Sequence, residues 1–71
     1  MPAYPSPDES FARLRRSGWS VGEAPFCGNG RLVWQVDGVN GENQVRDQGD
    51  SQAEAWHRAC QQAEVLGILR G

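Results

Sequence analysis

The sequence carries two complete sets of helix start and stop signals, one near each end, and they confine any strands to the stretch between them. In the first set, Ser6 precedes Glu9 by three residues, the spacing of a capping box, and Pro7 stands at the first helical position, where its missing N–H costs nothing. Gly18 suits the left-handed position that follows a helix. The pattern therefore predicts a first helix over about residues 7–17.

The second set predicts a longer helix near the end of the chain. Ser51 and Glu54 form a second capping box, and Gly67 closes the helix, which places Ile68 to pack back on Ala63. Between these signals the apolar residues recur at the spacing of one helical face. This apolar stripe consists of Ala53, Trp56, Ala59, Cys60, Ala63 and Leu66.

The stretch between the helices alternates apolar and polar residues, which is the pattern of half-buried strands. Trp19 and Val21 begin a first strand, and Pro25 favours an edge position for it, because proline cannot donate a ladder hydrogen bond. Residues 27–30 read as a turn. A second strand follows, with its apolar positions at Leu32, Trp34 and Val36.

A second turn is predicted at Asn40-Gly41, the favoured central pair of a type I′ hairpin. With these two residues as the loop, Val36 faces Val45, and Gln35 faces Arg46. This register places both valines on the core face of the sheet.

Together these elements predict an α+β fold in α-β-β-β-α order, in which a three-stranded antiparallel sheet has two helices packed on one face. We expect residues 1–5 to form a flexible N-terminal tail and residues 6–71 to form a single domain. The core lies between the sheet and the helices. Its predicted members are Phe11, Leu14, Trp19, Val21, Leu32, Trp34, Val36, Val45, Trp56, Ala59, Cys60, Ala63 and Leu66.

The order and size of the elements resemble the double-stranded-RNA-binding domain. Two RNA-contact motifs of that family are a Gly-Pro-x-His stretch in the first hairpin loop and a lysine-rich start of the second helix. Here residues 27–30 read Cys-Gly-Asn-Gly, and residues 51–58 contain no lysine and place Glu54 where it would repel phosphate. The resemblance therefore implies a shared topology, and the family's RNA-binding residues do not carry over.

The stretch from Gly18 onward is also similar to small uncharacterised bacterial proteins. In those proteins a Trp-x-Val strand leads through Asn-Gly turns into a helix that begins Asp/Thr-Ser-x-x-Glu-Ala. The similarity implies a related fold and no known activity. The matching residues here are Trp19-Ser20-Val21, Asn40-Gly41 and Asp50-Ser51-Gln52-Ala53-Glu54-Ala55.

Composition excludes several classes of protein. Hydrophobic residues make up 38% of the 71 residues, which is enough for a small core and too much for a disordered tail. No apolar run is long enough to span a bilayer, and the start of the chain lacks the charged and apolar regions of an export signal. We therefore expect a cytoplasmic protein that does not associate with membranes.

Catalytic and metal-binding signals are weak. His57 and Cys60 share a helix face and Cys27 could approach from the first hairpin, which leaves open whether the three come close enough to bind a metal. The paired Cys-x-x-Cys knuckles of many zinc sites are missing, and no Ser or Cys lies in a nucleophile motif. We expect no catalytic residue, no cofactor, no metal and no enzymatic activity.

Nucleic-acid binding is the alternative function. The seven basic residues are all arginine, and a sheet face bearing Arg and Gln could lie in a groove of a duplex. The net charge of −2 opposes this function, because affinity for phosphate depends on net positive charge. The candidate nucleic-acid contacts are Arg13, Arg15, Arg16, Arg31 and Arg46.

Protein contact, including self-association, is the favoured function. The predicted sheet has one uncovered face and two edges, and a sheet edge can pair with a strand of another chain. The expected partner is another protein or a second copy of the chain. The candidate interaction face consists of Val33, Gln35, Val39, Gln44 and Arg46.

Overall fold

The computed structural model describes residues 4–69, and its elements follow the order α-β-β-β-α. Three antiparallel strands form one sheet in the order β1-β2-β3, and both helices pack against one face of this sheet. The predicted α+β fold is confirmed. The elements are α1 (Pro7–Arg16), β1 (Ser20–Gly28), β2 (Arg31–Asn40), β3 (Asn43–Gly49) and α2 (Gln52–Val65).

Both helices begin at the predicted serine caps. The Ser6 hydroxyl accepts a hydrogen bond from the Glu9 backbone N–H at 3.2 Å, and the Ser51 hydroxyl accepts one from the Glu54 N–H at 3.1 Å. Each bond satisfies a donor that the first helical turn leaves without an intrahelical partner.

Both helices also end as the glycines predict. Gly18 has a φ of 93°, and the Trp19 N–H donates to the Leu14 carbonyl at 3.0 Å. At the end of α2, Gly67 has a φ of 75°, and the Ile68 N–H donates to the Ala63 carbonyl at 2.9 Å. These are the bonds of a Schellman motif, which turns the chain sharply out of each helix.

The predicted core is confirmed at its centre and wrong at its margins. Leu14, Trp19 and Val36 are fully buried, together with one face of α2. Leu32 is 50% exposed because it lies near the β1–β2 turn, where neighbouring residues of both strands are exposed as well. Phe11 is 43% exposed and packs edge-on against Trp56 at 5.6 Å. Leu66, beyond the last turn of α2, is 46% exposed.

The predicted register of the second hairpin is wrong by two residues. Val36 pairs with Asp47, and Val45 pairs with Gly38, so the loop consists of Gly41 and Glu42. Gly41 has a φ of 63° and Glu42 does not have a positive φ, which matches a type II′ turn with glycine in first place. A shift of two residues preserves the face to which each side chain points, so both valines still reach the core.

The ends of the chain lie partly outside the described residues. The predicted tail covers residues 1–5, of which the structure describes the last two, and the domain predicted to end at residue 71 is described to residue 69. Tyr4 contacts α2, with its ring 5.2 Å from that of His57. No helix within residues 4–69 is long and apolar enough to cross a membrane.

Candidate interaction surface

The five residues predicted to form an interaction face lie together on the side of the sheet away from the helices, which we call the open face. Val36 is fully buried beneath the helices, so its odd-numbered neighbours on β2 point the other way. The strand pairing brings the even-numbered residues of β3 to the same side. The open face therefore contains Val33, Gln35, Val39, Gln44 and Arg46.

The middle of the open face is polar and internally paired. The Gln48 side chain donates to the Gln35 side chain at 3.1 Å. The Arg46 guanidinium lies 3.9 Å from the Asp37 carboxylate on the neighbouring strand. Exposed pairs of this kind stabilise little, but this one balances the charge of Arg46 across the sheet.

The end of the β1–β2 hairpin is apolar on both faces, and we call residues 25–27 and 32–34 the apolar tip. Three successive cross-strand pairs are Pro25 with Trp34, Phe26 with Val33, and Cys27 with Leu32. Phe26 is 48% exposed and Leu32 is 50% exposed. The sequence did not predict this surface, because the alternation places Leu32 in the core, whereas Trp34 does pack against the core as predicted. Two apolar triplets flank residues 28–31 in the sequence, but this pattern does not show that the helices leave the end of the hairpin uncovered.

The outer edge of β3 is closed by side chains of α2 and by the Asp47 side chain of β3 itself. The Gln62 amide accepts a hydrogen bond from the Arg46 N–H at 3.0 Å and donates to the Arg46 carbonyl at 2.6 Å. Two residues further on, Arg58 donates to the Gln48 carbonyl at 3.1 Å, and the Asp47 carboxylate accepts from the Gln48 N–H at 2.8 Å. These bonds occupy the backbone groups that an incoming strand would need.

The candidate nucleic-acid contacts do not form one surface. Arg46 lies on the open face, whereas Arg13, Arg15 and Arg16 belong to α1, on the other side of the sheet. Arg13 pairs with Glu64 at 3.5 Å. Arg31 pairs with Asp50, so its positive charge is balanced within the protein, like those of Arg13 and Arg46. Arg15 and Arg16 are exposed and form no ion pair within the described part of the chain.

The cysteines and the histidine are not gathered into a metal site. Cys60 is buried, and its thiol donates to the Ser10 carbonyl at 3.6 Å. Burial raises the pKa of the Cys60 thiol, which keeps it protonated and unreactive. Cys27 is exposed at the apolar tip. Within residues 4–69, no three His, Cys, Asp or Glu side chains are grouped so that they could hold a metal ion.

One carboxylate at the start of α2 has an altered pKa. The Asp50 backbone N–H donates to Glu54 at 2.7 Å, and the Tyr4 hydroxyl donates to the same carboxylate at 3.1 Å. Both hydrogen bonds favour the ionised carboxylate and lower the pKa of Glu54, and the bond from the Asp50 backbone has the larger effect. The hydrogen bond to Glu54 raises the pKa of the Tyr4 hydroxyl. The cluster joins the N-terminal segment to the start of α2, and we assign it a structural role.

Comparison with known proteins does not assign the chain to a family. No family model matches the chain, no curated protein is significantly similar to it, and no solved structure matches its fold significantly. Of the predicted resemblance to the double-stranded-RNA-binding domain, the structure shows the α-β-β-β-α order of the elements.

Proposed function

We propose that this chain is a non-enzymatic protein-binding module that contacts its partner through the apolar tip and the adjoining open face. The observation that carries the proposal is the half-exposure of Phe26 and Leu32 on opposite faces of one hairpin end. Grouped exposed apolar side chains of this kind mark interaction sites more often than scattered ones do.

The size of the domain strengthens this reasoning. A domain of this length buries a smaller fraction of its surface than a large one, so each apolar side chain matters to its stability. Trp34 packs against the core, but its neighbours Phe26 and Leu32 leave about half of their surface in water. Contact with another protein would remove that surface from water. The removal is favourable by roughly 25 cal/mol of free energy per Å² of apolar area.

The test compares the tip with an exposed apolar residue on α2. Phe26→Ser and Leu32→Ser should abolish contact, whereas Val65→Ser, at a side chain 87% exposed on α2, should leave it intact. A photo-crosslinking residue at position 26 should capture a protein or a second copy in the cells that make the chain, and one at position 65 should not. Sedimentation equilibrium separates self-association from a different partner, because a monomer has a mass of 7.8 kDa. Equal capture at both positions, or at neither, would refute the proposal.

Nucleic-acid binding is a second candidate, supported by the exposure of Arg15 and Arg16 at the end of α1. The separation of the other arginines weakens it, because salt-dependent affinity grows with the number of phosphates neutralised together. Fluorescence anisotropy of a labelled RNA or DNA duplex at low salt tests this function. Binding that weakens as salt rises and is lost in Arg15→Glu/Arg16→Glu would favour it over protein contact.

We also propose a reducing compartment, such as the cytoplasm, as the place of action. Cys27 is exposed and neither cysteine forms a disulfide. Exposed unpaired thiols persist where glutathione and thioredoxin keep them reduced. Alkylation of intact cells followed by mass spectrometry should find the Cys27 thiol free, and a mixed disulfide at this position would contradict the assignment.

A further inference from the structure

The outer edge of β1 presents unpaired backbone groups. In an antiparallel ladder, residues direct their N–H and C=O alternately to the two sides of the strand. Arg46 directs its groups outward to Gln62, so its partner Asp37 directs its own groups to β1, where it pairs with Gly22. The neighbours of Gly22 on β1, Val21 and Glu23, therefore direct their N–H and C=O away from the sheet.

Nothing within residues 4–69 occupies these groups. No side chain or backbone atom of the described chain hydrogen-bonds to the outward N–H and C=O of Val21 and Glu23, in contrast to the closed edge of β3. Pro25 belongs to the same outward-directed set, which explains why a proline is tolerated in this strand. The open edge therefore lies on the N-terminal side of Pro25.

A groove runs beside this open edge, between β1 and the helices. It has a volume of about 300 Å³, and its apolar walls are formed by Phe11, Val21 and Trp56. Its two charged lining residues, Asp8 and Glu23, are both acidic. Both carboxylate oxygens of Glu23 accept hydrogen bonds, one from the Trp56 indole at 2.9 Å and one from the Gln52 side chain at 2.7 Å. These bonds hold the carboxylate in position beside the edge.

We propose that β1 accepts an extended segment of a partner protein as a fourth, antiparallel strand. The inference rests on the proposed protein-binding function and names the chemistry of the partner. In strand addition the main chain supplies the hydrogen bonds and alternate side chains enter pockets. The segment carries an apolar side chain for the groove, with a lysine or arginine two residues away on each side, facing Asp8 and Glu23. A second copy of the chain fits less well, because pairing of two β1 edges would bring the acidic side chains Asp8 and Glu23 of both copies together.

The test uses a synthetic peptide with this pattern. The probe is the capped peptide Thr-Lys-Thr-Val-Thr-Lys-Thr, whose valine and lysines share one side of a strand. On addition of the peptide to isotope-labelled protein, the amide signals of Val21 and Glu23 should shift saturably and gain protection from hydrogen exchange. A matched peptide with glutamate in place of lysine should not bind. Equal binding of the glutamate peptide, or shifts that leave these two amides unmoved, would overturn the proposal.

Matched variants separate backbone pairing from side-chain contact. Glu23→Pro removes the outward N–H, whereas Glu23→Ala removes only the side chain, so peptide affinity should be about tenfold weaker for the proline variant than for the alanine variant. If Glu23→Pro does not fold, N-methylation of the peptide valine tests the reciprocal bond of the ladder, because it removes a peptide N–H that would donate to a β1 carbonyl, and a similar loss of affinity is expected. Equal affinities in both comparisons would exclude strand addition.

The outcome for β1 is independent of the outcome for the apolar tip. A protein that still cross-links at position 26 while the lysine peptide fails to bind would retain the proposed function and reject strand addition. Conversely, peptide binding that is unchanged in Phe26→Ser would show that the edge works without the tip.

Discussion

Gly49, the last residue of β3, lies where α2 crosses the end of the sheet, and it provides a sharp test of how these two elements pack. A Cβ atom added at Gly49 would lie 2.7 Å from the Ala55 backbone nitrogen and 2.9 Å from both Cβ and Cγ of Glu54. The nearest of these atoms belongs to the backbone of the helix and cannot rotate away. Gly49→Ala therefore forces the start of α2 away from β3.

The expected cost follows from the cost of overpacking. Forcing an additional methyl group into a well-packed site destabilises a protein by about 1–3 kcal/mol. A single core in a domain of this size rarely supplies more than about 3–5 kcal/mol of net stability. Gly49→Ala should thus lower the free energy of unfolding by a large fraction of its total and raise the population of unfolded chains at room temperature.

Gly22→Ala provides the matched control, because a Cβ at that position on β1 meets no atom within 4 Å. Its free energy of unfolding should stay within about 0.5 kcal/mol of the original chain. Urea denaturation followed by circular dichroism measures both variants under the same conditions. Equal midpoints for Gly49→Ala and Gly22→Ala would show that α2 moves away from β3 without cost, and the packing argument would fail.

Three other predictions concern a thiol, a carboxylate and the closed edge. A thiol reagent should modify Cys27 in the native protein and reach Cys60 only in urea, and rapid native modification of both would contradict the burial of Cys60. Because the pKa of Glu54 is lowered in the folded state, its contribution to stability is present at neutral pH and is lost as the pH falls below about 4.5, the ordinary value, towards the folded-state value. In Glu54→Gln the denaturation midpoint should decrease less steeply than in the original chain as the pH falls through this range. An unchanged dependence of the midpoint on pH would refute the lowered pKa of Glu54. Gln62→Ala should cost about 1–2 kcal/mol and promote aggregation through the freed backbone of Arg46, whereas unchanged stability and solubility would show that this edge needs no cover.

The helices and the faces of the strands were predictable from the sequence because their signals act over a few residues. Ser6 and Ser51 cap the N–H groups three residues ahead, and Gly18 and Gly67 end the helices at the residue that adopts a positive φ. Strand alternation has a period of two. For that reason the open-face residues were placed correctly even though the hairpin register was wrong by two.

Features that depend on where one element ends relative to another became visible only in the tertiary structure. Leu32 has the alternation of a core residue, yet the helices leave it half-exposed, and no local pattern records how far a helix extends over a sheet. Likewise, Gln62 reads as a solvent-facing helical residue, but the packing of α2 brings it to the edge of β3, whereas nothing in the described chain covers the edge of β1 at Val21 and Glu23. The sequence by itself determined the elements and their faces through short-range hydrogen bonding and periodicity. The lateral position of the helices on the sheet, a long-range packing outcome, decided which edge was closed and which apolar surface stayed in water.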